Sequence, residues 1–302
     1  MSIKIIWEVT SQTFSKWSDD KSPKLAASLS FYTIFSLAPL LLIMIAIAGL
    51  IFGTDAAQGR IVDEMQSMVG KESAVLIQNA IKKSSDTQTG IIATVIGFVS
   101  LILGATGVFL ELQDSLNIIW KVSGKPPRGA ILTYLRSRAI SFSLVISFGL
   151  LLLITLLVST AISALSDFAE RYISIPGYVL SYTDFILSLI VMIVIFSMIY
   201  KILPDVKLSW KDVRIGAIVT SVLFIIGKYL ITLYLGRSSV SSTFGAAGSL
   251  ALFIIWIYYT AQIIFLGAEF TYVYAVRFGS GVIPKFQTAS REDENWAAKS
   301  KP

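Results

Sequence analysis

Long apolar runs dominate the pattern of this 302-residue chain, and short polar segments separate them. A helix needs about 20 apolar residues to cross the ~30 Å hydrocarbon core of a bilayer. Six runs reach about that length, and we predict a transmembrane helix for each. These helices cover approximately residues 25–52, 90–110, 139–165, 184–203, 215–235 and 246–268. The helical pattern of the second run continues to Trp120, so its last turns should project beyond the hydrocarbon.

The pattern predicts an all-α integral membrane protein with amphipathic helices outside the lipid core. Residues 1–22 place Trp7, Phe14 and Trp17 at helical spacing among charged residues, which is typical of a helix in the membrane interface. The connection at residues 54–89 also has helical periodicity, and it predicts one or two amphipathic helices. We therefore divide the chain into an interfacial segment (1–22), a six-helix membrane domain (23–278) and a disordered cytoplasmic tail (279–302).

Composition narrows the chemistry. Hydrophobic residues make up 55% of the chain, charged residues make up 15%, and there is no His or Cys. The missing residue types exclude imidazole bases, thiol nucleophiles and every metal site built on His or Cys. The acids within the predicted helices are too few and too scattered to hold a metal pair. We therefore expect a protein that is not an enzyme and has no metal and no cofactor.

The positive charges indicate the orientation. Of the 25 Lys and Arg residues, 18 fall on the side that holds both termini, 6 fall on the other side, and Lys228 lies within a predicted helix. Cytoplasmic segments of membrane proteins carry the excess of Lys and Arg. Both termini are thus predicted to be cytoplasmic. The net charge of +6 reflects topology, and we expect no nucleic-acid partner.

Four segments resemble a known family. They are AASLSFYTIFSLAPLLL from residue 26, LQDSLNIIW from residue 112, LPDVKLSWKDVRIGA from residue 203 and FGAAGSLALFIIWIYYTAQIIFLGAE from residue 244. In this order they are similar to the YihY/BrkB family of bacterial inner-membrane proteins. The resemblance implies six membrane helices, a location in the inner membrane and a suggested role in transport or surface resistance. The family has also carried a ribonuclease label, which no residue pattern in this chain supports.

Lys228 is the first candidate functional residue. It lies inside the apolar run 215–235, slightly beyond the membrane midplane, and a charged group at that depth costs a few kcal/mol. No carboxylate of another predicted helix falls at this depth. The lysine is therefore predicted either to bind an anionic ligand or to be held by backbone carbonyls at a kink.

Polar residues near the helix ends give further substrate-binding candidates. Glu269, Glu111 and Asp114 fall at similar depth near the cytoplasmic ends. They are predicted either to line a vestibule or to pair with Lys121, Lys201 or Arg277 as interface anchors. Gln262 offers a polar lining group deeper in the bundle.

Glycines and a proline complete the candidates. Gly245 and Gly248 near the start of the last helix allow either close packing or an exposed anion-binding terminus. Pro39 frees the carbonyl of Phe35, so helix 1 should bend there, either as a gating hinge or as a packing feature.

Three functions fit these patterns. The favoured one is transport of an amphipathic, anionic, lipid-like substrate that Lys228 neutralises. The first alternative is a cation/proton exchanger in which Glu269, Glu111 and Asp114 carry the ion, and the second is a membrane scaffold that does not transport. Membrane lipids are the expected partners, and the sequence does not specify an oligomeric state.

Overall fold

The computed structural model describes residues 3–69, 74–75, 78–79, 106–122, 143, 147, 177–237 and 240–284. The helices are α1 (Ile3–Asp19), α2 (Ser22–Phe52), α3 (Thr54–Val69), α4 (Gly177–Ile202), α5 (Trp210–Arg237) and α6 (Val240–Arg277). Residues 106–119 are helical as well. Two short strands, β1 (Val206–Lys207) and β2 (Ile283–Pro284), form an antiparallel ribbon.

The observed helices overlap the predicted runs in the described part of the chain, but α4 and α6 begin before the predicted starts at residues 184 and 246. Within this part, three helices have stretches long and apolar enough to cross a membrane: Phe185–Ile202, Trp210–Ile231 and Ala251–Arg277. The first predicted run corresponds to α2, and the interfacial segment corresponds to α1. The third predicted helix and most of the second lie outside the described residues, so the count of six remains a prediction.

Exposed apolar side chains support a membrane environment. Ile218, Val222 and Ile226 recur every four residues along α5 and are about half exposed, and Phe185 and Ile190 on α4 are exposed as well. A regular apolar stripe of this kind faces a partner or lipid rather than water. With 38 residues, α6 is about 57 Å long, so it extends well beyond a ~30 Å hydrocarbon layer.

Helix α6 lies at the centre of the described structure and packs against α1, α2 and α5, while α4 packs against α5. Two apolar clusters hold the helices together. The larger one surrounds Trp120, Tyr200 and Phe265, and the smaller one joins Leu41 of α2, Ile61 of α3 and Phe253 of α6, among others. Helix α3, which begins the connection predicted to be helical, is therefore folded back onto the bundle.

The polar segments meet at one end of the bundle, which we call the basic end. It comprises α1, the turn between α1 and α2, residues 119–122, the loop before α5 and residues 278–284. Asp212 at the start of α5 accepts hydrogen bonds from the backbone N–H and the hydroxyl of Ser280, both at 3.1 Å. This contact and the β1–β2 ribbon fold residues 279–284, which belong to the segment predicted to be a disordered tail.

Candidate functional site

Glu269 is the most deeply buried acid of the described structure. Its side chain has no solvent exposure, although it lies in α6 near the basic end. The hydroxyl of Ser22, the first residue of α2, donates a hydrogen bond of 3.3 Å to Oε1. The other oxygen, Oε2, has no hydrogen-bond partner among the described residues. Burying a carboxylate with so few partners is expensive, so this residue needs a functional or structural reason.

Asp20 brings a second carboxyl group to the same place. It forms an ion pair with Lys121, and its side chain is only 7% exposed. Only Oδ1 joins the ion pair, whereas Oδ2 has no hydrogen-bond partner in the described part of the chain. Asp20, Lys121 and Lys16 are the charged groups that act on Glu269. Two buried acids are therefore close to one cation, which pairs with Asp20, and each has one oxygen without a hydrogen-bond partner among the described residues.

Two lysines beside these acids have unusual backbone conformations. Lys21 and Lys121 both have φ of 54°, in the left-handed region that glycine prefers. Lys121 follows the 106–119 helix, where the N–H of Val122 bonds to the carbonyl of Asn117 as in a glycine-terminated helix end. A non-glycine residue in this conformation costs about 1 kcal/mol. At this position a lysine instead supplies the cation for Asp20.

Two tryptophans fix the surrounding elements to α6. The indole N–H of the buried Trp120 donates to the carbonyl of Ala268 at 3.2 Å, one residue from Glu269. The indole N–H of Trp17 donates to Oε1 of Gln262 at 3.1 Å. Gln262, predicted as a polar lining group, thus contacts the N-terminal helix. These bonds hold α1 and residues 106–122 in register with Glu269.

Close contact between α5 and α6 also fixes the position of Glu269. Thr220 Oγ1 bonds to the carbonyl of Gly216 in α5, and Thr271 Oγ1 bonds to that of Gly267 in α6. A Cβ on either glycine would collide with the threonine of the other helix. The hydroxyl of Tyr200 donates to the carbonyl of Ile264 at 2.7 Å and lies 3.0 Å from Thr220 Oγ1.

A groove of about 430 Å³ lies between α1 and α6 at the surface. It is lined by Gln12, Ser15, Lys16 and Asp19 of α1 and by Tyr272, Val273, Val276 and Arg277 of α6. Asp19 directly precedes Asp20, and Tyr272 is one helical turn from Glu269. The groove is therefore near the two buried acids, although neither of them lines it.

Glu111 and Asp114, predicted to lie at a similar depth to Glu269, belong to a different cluster. Asp205 in the loop before α5 accepts hydrogen bonds from Gln113 and Asn117, at 3.2 and 3.0 Å. Desolvation, reinforced by the negative charges of Glu111 and Asp205, raises the pKa of Asp114 above its ordinary value. In the described structure neither Glu111 nor Asp114 forms a hydrogen bond or ion pair with Glu269.

Lys228 lies between α5 and α6 and is half-buried. It lines a cavity of about 10 Å³ together with Phe224, Trp256 and Tyr259. This volume corresponds to about one water molecule, which is far less than a lipid head group requires. Within the described residues Lys228 forms no hydrogen bond or ion pair, so its predicted role toward an anion requires these two helices to separate.

The remaining candidates lie in regular helix. Helix α2 continues through Pro39 from Ser22 to Phe52, and the bend and gating role of Pro39 stay predictions. Helix α6 begins at Val240, earlier than predicted. Gly245 and Gly248 therefore lie beyond the first four residues, whose N–H groups are the free ones.

Sequence reasoning missed Asp20 and Ser22, and it named Lys121 only as one of three possible ion-pair partners of the acids near the helix ends. Asp20 and Ser22 lie in the turn after α1 and at the start of α2, and they are up to 249 residues from Glu269 in the chain. No spacing in the sequence joins them. The left-handed backbone conformation of Lys21 and Lys121 is seen only in the folded structure.

Comparisons with known proteins agree with the membrane architecture. A family model described as "Virulence factor BrkB" matches residues 13–292. A UPF0761 membrane protein of Psychrobacter sp. (strain PRwf-1) is 25% identical over 279 residues, which are 91% of this chain and 49% of the relative. A UPF0761 membrane protein of Verminephrobacter eiseniae is 29% identical, over 88% of this chain and 62% of the relative.

A further relative is similar in length to this chain. The UPF0761 membrane protein of Pseudoalteromonas translucida is 27% identical over 86% of this chain and 83% of its own. By contrast, the chain spans about half the length of the Psychrobacter relative. No solved structure matches.

Proposed function

This chain belongs to the virulence factor BrkB family, and from that premise we propose that it is a multi-pass transporter of the bacterial inner membrane that works by ion exchange at Glu269. One observation carries the proposal. Glu269 is fully buried and has an oxygen without a hydrogen-bond partner in the described structure. An ionisable residue in a membrane helix is most often part of an ion or substrate pathway.

The proposal explains an arrangement that a scaffold does not need. A purely structural protein gains stability when buried charges are replaced by apolar groups of similar volume. Here two buried acids are retained beside one close cation, near the groove between α1 and α6. A carboxyl group that alternately gains and loses a cation or proton accounts for the unpartnered oxygen. The lack of His and Cys supports transport over enzymatic chemistry.

Orientation and partners are part of the same proposal. The excess of Lys and Arg on one side supports cytoplasmic termini, which places the groove and Glu269 toward the cytoplasm. Exposed Ile6, Trp7 and Phe14 on α1 support contact of this helix with membrane lipids.

The proposal is tested by ion flux in proteoliposomes that contain purified protein and a trapped pH-sensitive dye. Imposed Na⁺ or K⁺ gradients should drive proton movement through the wild type. Glu269→Gln keeps the size of the side chain but removes the charge, and it should reduce the flux at least about tenfold. Glu111→Gln removes an acid of the other cluster and should keep the flux. Equal flux through the wild type and Glu269→Gln would refute the proposal, as would a wild type that shows no flux.

Transport of a lipid-like anion is the second candidate, and one observation favours it. Lys228 is half-buried without a hydrogen bond or ion pair to any described residue, and the next residues, Tyr229 and Leu230, are exposed. An anionic head group would satisfy its charge if α5 and α6 separated. Faster transbilayer movement of a fluorescent anionic lipid with the wild type than with Lys228→Met would favour this candidate.

A further inference from the structure

The proposed exchange at Glu269 does not specify which ion is bound there. The oxygen atoms around Glu269 help to decide between a proton and a metal cation. Two carboxyl oxygens lack hydrogen-bond partners in the described residues: Oε2 of Glu269 and Oδ2 of Asp20. Both side chains are more than nine-tenths buried. The hydroxyl of Ser22 is already used in a hydrogen bond to Glu269. A hard metal cation is usually bound by six or more oxygens, which this set does not provide.

The charges around Glu269 also favour a proton over a metal cation. Lys121 already pairs with Asp20, so a metal ion on Asp20 would lie next to an ammonium group. Asp20 and Lys16 come from α1 and the turn after it, and Lys121 comes from the 106–122 segment. Tyr200, the titratable group of α4 at this crossing, bonds to the carbonyl of Ile264. Lys121 is the cation that forms an ion pair with one of these acids in the described structure, so the two acids and this cation leave one negative charge, which one proton neutralises.

We propose that Glu269 and Asp20 form a shared proton site, with Lys121 as its built-in counter-cation. In the neutral state a single proton lies on one of the two carboxyl groups and donates to an unpartnered oxygen of the other. When the proton leaves, two carboxylates compete for Lys121. This inference extends the proposed exchange function. It rests on that function only for the statement that the bound proton is transported, because protonation of the site is measured without transport.

The site also couples the proton to the position of α1 and α2. Asp20 lies in the turn between these helices, Lys21 follows it in a left-handed conformation, and Ser22 starts α2. Any transfer of Lys121 from Asp20 toward Glu269 changes the contacts of this turn. Proton release is therefore expected to loosen the attachment of α1 to α6, next to the groove.

The proton is detected directly by infrared difference spectroscopy of the purified protein during a pH titration in detergent. A protonated carboxyl group gives its own C=O band, which shifts in D₂O. The wild type should show such a band, Glu269→Gln should lose it, and Asp114→Asn, which removes an exposed acid, should keep it. A band of the same size in the wild type and in Glu269→Gln would overturn the inference.

Two variants that retain Glu269 should shift the pH midpoint of the infrared band in opposite directions. Asp20→Asn removes the negative neighbour, so the band's midpoint should move to lower pH by about one unit, a tenfold weaker proton affinity. Lys121→Gln removes the positive neighbour, so the midpoint should move to higher pH. Shifts in the same direction, or no shift in either variant, would overturn the shared site.

The ion is identified in the same experiment. At fixed pH, added Na⁺ or K⁺ should leave the band unchanged, because in this proposal the counter-ion of the exchange does not bind to these two carboxyl groups. Loss of the band as one of these cations is added would assign the site to that cation and overturn the proton. A band that behaves as expected in a protein without ion flux would refute the exchange function while leaving the proton site in place.

Discussion

A methyl group added at Gly267 tests how the α5–α6 contact positions Glu269. In Gly267→Ala the new Cβ would lie 2.9 Å from Cβ of Thr220 and 2.6 Å from the hydroxyl of Tyr200, and closer still to Thr220 Oγ1. Carbon atoms pack best at about 3.5–4.0 Å. The two helices must therefore separate by at least about 0.6 Å here, or Thr220 must rotate away from its bonds.

The expected cost follows from these contacts. Overpacking of a well-packed core costs about 1–3 kcal/mol. Loss of the hydrogen bond between Tyr200 and Thr220 costs about 1 kcal/mol. The higher helix propensity of alanine returns about 1 kcal/mol, which offsets the lost hydrogen bond. We thus expect the free energy of unfolding to fall by about 1–3 kcal/mol.

The assay is thermal unfolding in one detergent, with ion flux as the second readout. Gly59→Ala in α3 is the matched control, because its Cβ has no atom within 4 Å, and it should be neutral or stabilising. Adding Thr220→Ala to Gly267→Ala removes the closest clashing atom and should recover part of the loss. If Gly267→Ala is as stable as Gly59→Ala, the close packing of α5 and α6 described above is wrong.

Three further outcomes are expected. Asp114→Asn should be more stable than the wild type at neutral pH, because the raised pKa of Asp114 means that its charged form is disfavoured in the folded state. The difference should vanish below about pH 3.9, where the unfolded carboxyl is protonated too, and melting curves from pH 3 to 8 check this. Lys228→Met should melt at the same or a higher temperature, since an unpaired buried charge is removed; a clear loss of stability would instead indicate a structural lysine. Asp212→Ala leaves both donors of Ser280 without their acceptor and should lower stability by about 1–3 kcal/mol, with faster proteolysis after Phe278; unchanged proteolysis would contradict the anchoring role.

The sequence by itself determined the class of the protein and the course of several helices. Runs of about 20 apolar residues have few alternatives to a membrane helix, because backbone groups in lipid must bond within their own segment. The runs at residues 25–52 and 215–235 therefore predicted α2 and α5 closely, and four quoted segments were enough to identify the family. The polar segment after α6 was predicted less well, because residues 279–284 fold through contacts with Asp212 and β1.

Tertiary packing determines which polar residues come into contact. The position along each helix predicted a similar depth for Glu111, Asp114 and Glu269, but depth says nothing about the side of the bundle on which a residue lies. The rotation of each helix is set by packing, here by the contacts of Gly216 and Gly267 with threonines and by the bond from Trp120 to Ala268. These contacts turn Glu269 toward Ser22, Asp20 and Lys121, whose neighbourhood exists only after the chain has folded.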